Sequence, residues 1–232
     1  FIPQIETLEA MVDDDTVAIL YNFPSNPTGA TLDTQQRDEL LAFARRHDLW
    51  IVSDEVYDRI VYDCDHVSFL GTGYENLILI NSFSKTFAMT GWRIGYLLST
   101  NLAVMQELIK VQYYITACSN DAMQYAVLEA FVGADDYPEQ MAVEFKARRD
   151  LICSRLNAMP GVSCHVPRGA FYVFPKVEVP GLNSEEVALE LLKGGVLCSP
   201  GTAFGGSGEG HLRFAYTVSR DDISAGMDKV AA

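Results

Sequence analysis

The sequence predicts an α/β fold: a mostly parallel sheet in a large domain over residues 1–145, followed by a small C-terminal α+β domain over 146–232. Three observations carry that reading. In the first hundred residues, short continuous apolar runs alternate with polar turns and helix-like stretches, the pattern of parallel strands covered on both faces. Long helical patterns then occupy 101–159, and after them come shorter strand-like runs with a helix among them. With 232 residues, 49% of them apolar and 21% charged, the chain has the composition to bury a core.

The first run, TVAILYNFPSNPTG (16–29), leads into DTQQRDELLAFARRHD (33–48). There Leu40, Leu41 and Ala44 form an apolar stripe and Asp33 is the natural N-cap. The second, LWIVSDEVYDRIVYD (49–63), predicts a strand passing into a helix that begins EVYDRI. The third, NLILINSFSKTFAMTG (76–91), is followed after little more than a turn by WRIGYLLS (92–99). Residues 101–131 read as helix broken near CSND (118–121). Residues 135–159 read as a second long helix, with Pro138 in its first turn and Gly161 just past its end. The domain boundary falls inside it, near 145. Strand-like runs follow at VSCHV (162–166), AFYVFPKV (170–177), GVLCS (195–199) and HLRFAYT (211–217), with a helical stretch near 183–193.

The bulk chemistry excludes several classes. A net charge of −14 argues against a nucleic-acid backbone or an acidic membrane surface as partner. Apolar runs such as LWIV and LILI are far too short to span a bilayer, and no basic-then-apolar leader opens the chain. The five cysteines form no CxxC pair and read as free buried thiols in a reducing, cytoplasmic setting. The four histidines show no metal-ligand spacing, so no metal is expected.

Five polar residues carry the functional question. Asn26, Asp54, Lys85 and Arg93 lie at strand ends, where open α/β sheets collect ligands, and Arg213 comes from the smaller domain. Each has a plain structural reading. Asn26 could shape a turn, Asp54 could cap the helix after it, Lys85 could decorate the surface, and both arginines could be ion-paired. Taken together they match one chemistry. Pyridoxal phosphate needs a lysine to hold its aldehyde as a Schiff base, an acid on its ring nitrogen, and cationic or hydroxyl donors for its phosphate. An asparagine amide and a tyrosine hydroxyl can bind its ring phenolate oxygen, and Tyr57, three residues after Asp54, has the spacing to share its helical face. Nearby positive charge and burial would both lower the Lys85 pKa, which an imine-forming amine requires.

The strings NPTG (26–29), SDEVY (53–57), SFSKTFAMTGWRIGY (82–96) and RFAY (213–216), in that order, strongly resemble fold-type I pyridoxal-phosphate aminotransferases of class I/II. Within that family they look most like the bacterial aspartate/aromatic aminotransferase subgroup. The resemblance implies a PLP-transferase-like fold and a homodimer that moves an amino group between an L-amino acid and a 2-oxo acid. It makes Lys85 the Schiff-base lysine and proton carrier, with Asp54 on the pyridine nitrogen and Asn26 and Tyr57 at the phenolate oxygen. Ser82 and Arg93 would hold the phosphate. Arg213 would bind the substrate α-carboxylate, and Asn26 would also contact the substrate. A carbon–sulfur β-lyase uses the same Lys–Asp–Arg core and is the alternative reaction.

The resemblance starts deep inside the family pattern. The glycine/serine-rich phosphate turn, the ring-stacking aromatic residue and the N-terminal part of the small domain have no counterpart here. The expectation is therefore a piece of a longer protein, with the central and antiparallel strands of the seven-stranded sheet and exposed apolar edges. A catalytically silent fragment is the second alternative. Two lookalikes fail: SKT lacks the preceding GxxxxG of a P-loop, and PGTAFGGSGEG (200–210) does not open a helix as a dinucleotide turn does. That segment reads as a mobile loop near Arg213, with a substrate-side role open to it. GAFY (169–172) resembles the small-domain strand that approaches the site in this family, with plain packing by Phe171 and Tyr172 the favoured reading.

Overall fold

The computed structural model describes residues 1–133 and 136–231. The chain divides into two compact units, one of Phe1–Pro24, Thr31–Val61 and Asp65–Glu139, the other of Ser25–Ala30, Tyr62–Cys64 and Gln140–Ala232.

The first unit is built on a four-stranded sheet, β1 (Ala18–Asn22), β2 (Trp50–Asp54), β3 (Leu77–Ser82) and β4 (Gly95–Leu98), in that spatial order. The first three are parallel and β4 is antiparallel to β3. Helix α1 (Ile5–Met11) precedes β1, and α2 (Thr34–Arg46) links β1 to β2. The start of α2 is set by a capping box: Asp33 Oδ1 accepts from the Gln36 amide at 2.9 Å, and Gln36 Oε1 accepts from the Asp33 amide at 3.0 Å. Its buried stripe is Leu40, Phe43 and Ala44. Phe43 thus takes the place expected for Leu41, which is half-buried.

The connection from β2 to β3 departs from expectation, because EVYDRI forms turns and no helix. The cause is Glu55, a buried carboxylate that accepts from Ser53 Oγ at 2.8 Å and the Phe69 amide at 3.2 Å and lies 2.7 Å from His66 Nε2. Those bonds draw 66–69 back against the end of β2 and replace the helical pattern. Burial alone would raise the Glu55 pKa, but hydrogen bonds from His66, Ser68 and Ser53 outweigh it and hold the carboxyl below its usual range.

Cover on both faces is also only half realised. In β2 and β3 one face is buried, through Ile51, Ser53, Leu77, Leu79 and Asn81, while Trp50, Val52, Ile78 and Ile80 stay half-buried. Helices α4 (Leu102–Thr116) and α5 (Asp121–Gly133) flank a break at 117–120, where Ala117 takes φ 59°. Apolar α4 buries none of its residues, and Tyr114, Ile115, Leu128 and Val132 stand exposed across the pair. Leu20 on β1 and Leu98 on β4 are exposed as well, so both edge strands keep open apolar positions.

Helix α6 (Tyr137–Asn157) continues into the second unit with Pro138 in its first turn. The expected start at 135 lies outside the described residues. Gly161, at φ 74°, follows its end. The strands beyond are shorter than predicted: β5 (Val162–Ser163), β6 (Tyr172–Val173), β7 (Lys176–Val177), β8 (Ser199–Pro200) and β9 (Leu212–Ala215). AFYVFPKV is split because Pro175 has no amide to donate and separates β6 from β7. In GVLCS only Ser199 pairs, Gly195 sitting at φ 83° and Leu197 in solvent. Helix α7 (Ser184–Lys193) carries its own capping box through Asn183 and Glu186, and α8 (Arg220–Val230) starts from Ser219. Of the five cysteines, Cys153 and Cys164 are buried while Cys118 is exposed, which corrects the expectation that all are buried; none is in a disulfide.

Candidate active site

In the first unit the sequence-predicted groups gather at the carboxyl ends of adjacent parallel strands. Asp54 is the last residue of β2, and Ser82 is the last of β3, two positions beyond the Asp54 partner Ile80. Ser82 also caps α3 (Phe83–Thr86), the single turn that carries Lys85. Its hydroxyl accepts from the Ser84 amide at 3.1 Å and lies 3.1 Å from the Ile94 carbonyl.

Lys85 is half-buried, with Nζ 5.8 Å from the centre of the Tyr57 ring. Burial lowers its pKa, and the charge of Arg93 lowers it further. Tyr57 is itself buried, in the turn after β2, so a turn and not a helical face sets its place beside Asp54. Asp54 accepts from the Val56 amide at 3.2 Å, the capping role of its plain reading, though it caps a turn. Burial raises its pKa despite the Val56 and Asn22 hydrogen bonds, and the Glu55 charge adds to the rise. Arg93 is exposed at φ 55°, ψ 51°, and donates to the Thr90 carbonyl at 2.9 Å.

The second unit holds the other two residues. Arg213 on β9 donates through Nη1 to Asn26 Oδ1 at 2.8 Å and through Nη2 to Ser199 Oγ at 3.1 Å. Its guanidinium carbon lies 4.7 Å from the Tyr172 ring centre and 4.9 Å from that of Phe204. Its Nε is buried and has no hydrogen-bond partner. Asn26 is placed by the NPTG turn. There Gly29, at φ 65°, accepts through its carbonyl from the Arg168 and Gly169 amides at 3.0 and 2.9 Å. A Cβ on Gly29 would stand 2.3 Å from Pro167 Cβ, so only glycine lets that turn seat.

The segment 200–210 is built from two 3₁₀ turns, Gly201–Phe204 and Gly206–Gly208. The Gly201 amide donates to the His211 carbonyl at 2.8 Å, and Ser184 Oγ accepts from Gly210 N at 2.8 Å. The segment expected as a loop thus contains two short helical turns, and its Phe204 reaches Arg213.

The whole chain matches a known family. Residues 3–230 fit the family Aminotransferase class I and II. The chain belongs to this family. It is 38% identical to an aspartate aminotransferase of Pyrococcus horikoshii over 99% of its length, and 42% identical to a probable aspartate aminotransferase of Methanocaldococcus jannaschii over 96%. The solved aromatic aminotransferase of Pyrococcus horikoshii superposes with a TM-score of 0.93 at 36% identity, covering 99% of this chain and 62% of that one. The chain spans about 60% of the length of the curated relatives it matches. Pyridoxal phosphate is the family's cofactor.

Four side chains around these sites were not singled out by the sequence reading: Ser199, Phe204, Asn81 and Asp58. Asn81 had a usable signal, since Leu77, Leu79 and Asn81 share one strand parity, which puts a polar side chain on the buried face. Ser199 and Phe204 meet Arg213 only through folding, and Tyr172, for which packing was the favoured reading, also faces its guanidinium.

Proposed function

We propose that this chain carries the cofactor-binding lysine and the carboxylate-binding arginine of a pyridoxal-phosphate-dependent aminotransferase acting on L-amino acids and 2-oxo acids. The carrying observation is Lys85, a half-buried amine whose pKa is lowered by burial and by Arg93, set one strand away from the half-buried carboxylate Asp54. The residues suit the cofactor chemically. Asp54, raised by burial, is a carboxylate short of positive charge, the complement of a protonated ring nitrogen. Ser82 and Arg93 supply a hydroxyl and a guanidinium for a phosphate, and the Tyr57 hydroxyl suits a phenolate oxygen.

When bound, pyridoxal phosphate supplies the sink for the electrons left when the substrate Cα–H bond breaks. The chain's part is proton handling and orientation. Lys85, losing its proton more readily than an exposed lysine, takes the proton from the substrate Cα and returns it during amino transfer. Asp54 keeps positive charge on the ring nitrogen. Arg213, held by Asn26, Ser199 and two aromatic rings, offers the unpartnered Nε and its neighbouring Nη2 edge to a substrate carboxylate. The names of the relatives, for aspartate and aromatic amino acids, support amino transfer as the reaction.

Two further parts of the proposal rest on surface chemistry. The exposed apolar residues of α4 and α5 support a homodimer. Five thiols outside any disulfide support a cytoplasmic location. Among the described residues no helix is long and apolar enough to cross a membrane.

The test is a visible absorbance scan with added pyridoxal phosphate, then borohydride reduction and peptide mapping. The expected result is a pyridoxyl group fixed on Lys85. A label spread over other lysines, with Lys85 unmodified, would overturn the assignment.

A further inference from the structure

The Lys85 turn has an anchor that lies outside the residues assigned so far. Asp58 sits in the turn after β2, one residue past Tyr57, and is half-buried. Asn81 Nδ2 donates to its Oδ2 at 2.9 Å, and Thr86 Oγ1 donates to its Oδ1 at 3.4 Å. These partners bracket the functional turn, because Asn81 immediately precedes Ser82 and Thr86 immediately follows Lys85. Asn81 is engaged at both ends, its Oδ1 accepting from the Ser82 amide at 2.6 Å. Asn81 and Thr86 are both buried.

We propose that Asp58 is a positioning residue for the lysine turn: one carboxylate clamps its entry through Asn81 and its exit through Thr86, and ties both to the backbone that bears Tyr57. This rests on the reading of Lys85 given above. The physical reason for a carboxylate is its acceptor count. An ionised Asp accepts from two donors at once and opposes neither, whereas an Asn at 58 must either set its NH2 against that of Asn81 or turn over and oblige the Thr86 hydroxyl to accept instead of donate. Burial raises the Asp58 pKa, while the Asn81 bond and the nearby charges of His66 and Arg59 favour the ionised, doubly accepting form. Gly95 closes the other side: a Cβ there would lie 2.7 Å from the Asn81 carbonyl oxygen, so β4 approaches too closely for Asn81 to shift that way.

The clamp predicts a charge-swap rescue. In D58N one of the two contacts must be lost or reversed in direction. In D58N/N81D the polarity reverses: the new amide at 58 donates to the carboxylate at 81, which still accepts from the Ser82 amide, and the amide oxygen at 58 still accepts from Thr86. Hydrogen exchange of the peptide spanning 82–89 is the first readout and needs no cofactor. D58N is expected to speed exchange there at least tenfold, with little change in α2, and the double variant to restore protection. The second readout is pyridoxal-phosphate affinity from the visible absorbance titration, expected to weaken about tenfold in D58N and recover in the double variant, in keeping with the cost of mispairing buried polar groups. Unchanged exchange at 82–89 in D58N would overturn the clamp. So would loss in D58N that the swap does not repair, since that is the signature of general destabilisation. If the unsubstituted chain takes up no pyridoxal phosphate, the cofactor reading fails, and the exchange comparison alone still decides whether Asp58 holds the turn.

Discussion

The lysine of the first unit and the arginine of the second are held by opposite physics. Lys85 lies on a one-turn helix at the end of β3, and its environment works against its charge through burial and the Arg93 guanidinium. Arg213 lies on a strand with its guanidinium engaged by two oxygen acceptors and two aromatic rings. A lysine ammonium can be made to give up its proton and a guanidinium cannot, so each residue type sits where its chemistry is of use. On the proposed function, the contrast matches an amine that exchanges its proton and a guanidinium that keeps its charge.

The largest effect should come from removing the amine. Lys85→Ala is expected to abolish the borohydride-fixed pyridoxyl label on the 82–89 peptide and to reduce amino transfer to background. Retention of both would break the comparison at its first member. Arg213→Lys should be milder and of a different kind. Lysine keeps the charge but cannot bridge Asn26 and Ser199 while offering a planar edge, so affinity for amino-acid and oxo-acid substrates should fall roughly 10–100-fold, the scale of one or two charge-assisted hydrogen bonds. The visible spectrum with pyridoxal phosphate should stay unchanged. An unaltered substrate titration would remove Arg213 from recognition, and a lost cofactor signal would show that its role is not confined to substrate.

How far these arrangements were legible in the sequence differs between the regions for physical reasons. Strands β1, β2 and β3 announced themselves because an apolar run bounded by polar turns has few other solutions. The Asp33 cap and the Asn183 stretch were equally plain, being local. EVYDRI misled because Val56 and Ile60 mimic helical spacing, while the decisive bonds of Glu55 to His66 and to the Phe69 amide are long-range. The second unit was over-read as strand, since an apolar run does not reveal that Pro175 will interrupt the ladder. The residues proposed to carry the chemistry stood out through specific strings. Their supports did not: Ser199 and Phe204 lie 14 and 9 positions from Arg213, and nothing local marks either. Sequence thus exposes the groups that react sooner than the groups that aim them.

The smallest effect sharpens the comparison most, because it separates the two causes acting on Lys85. Burial is the larger and Arg93 the smaller. Arg93→Met removes only the second. With the pKa lowered in the folded chain, the ammonium loses its proton at a lower pH than a free lysine does. Removing the neighbouring cation stabilises the charged form, so the midpoint must move up, towards but not as far as the ordinary lysine value. Pyridoxal phosphate would confound the measurement, since Arg93 is also proposed to hold its phosphate. Reductive methylation of Lys85 with formaldehyde, followed by mass spectrometry of the 82–89 peptide across pH, reads the neutral amine directly. The variant profile should be displaced to higher pH, with Lys85 still reacting at lower pH than the exposed Lys110 and Lys193. Coincidence with those surface lysines would mean that the cation, and not burial, sets the amine's character. An unmoved profile would show that Arg93 exerts no field on Lys85 and that burial accounts for the whole depression.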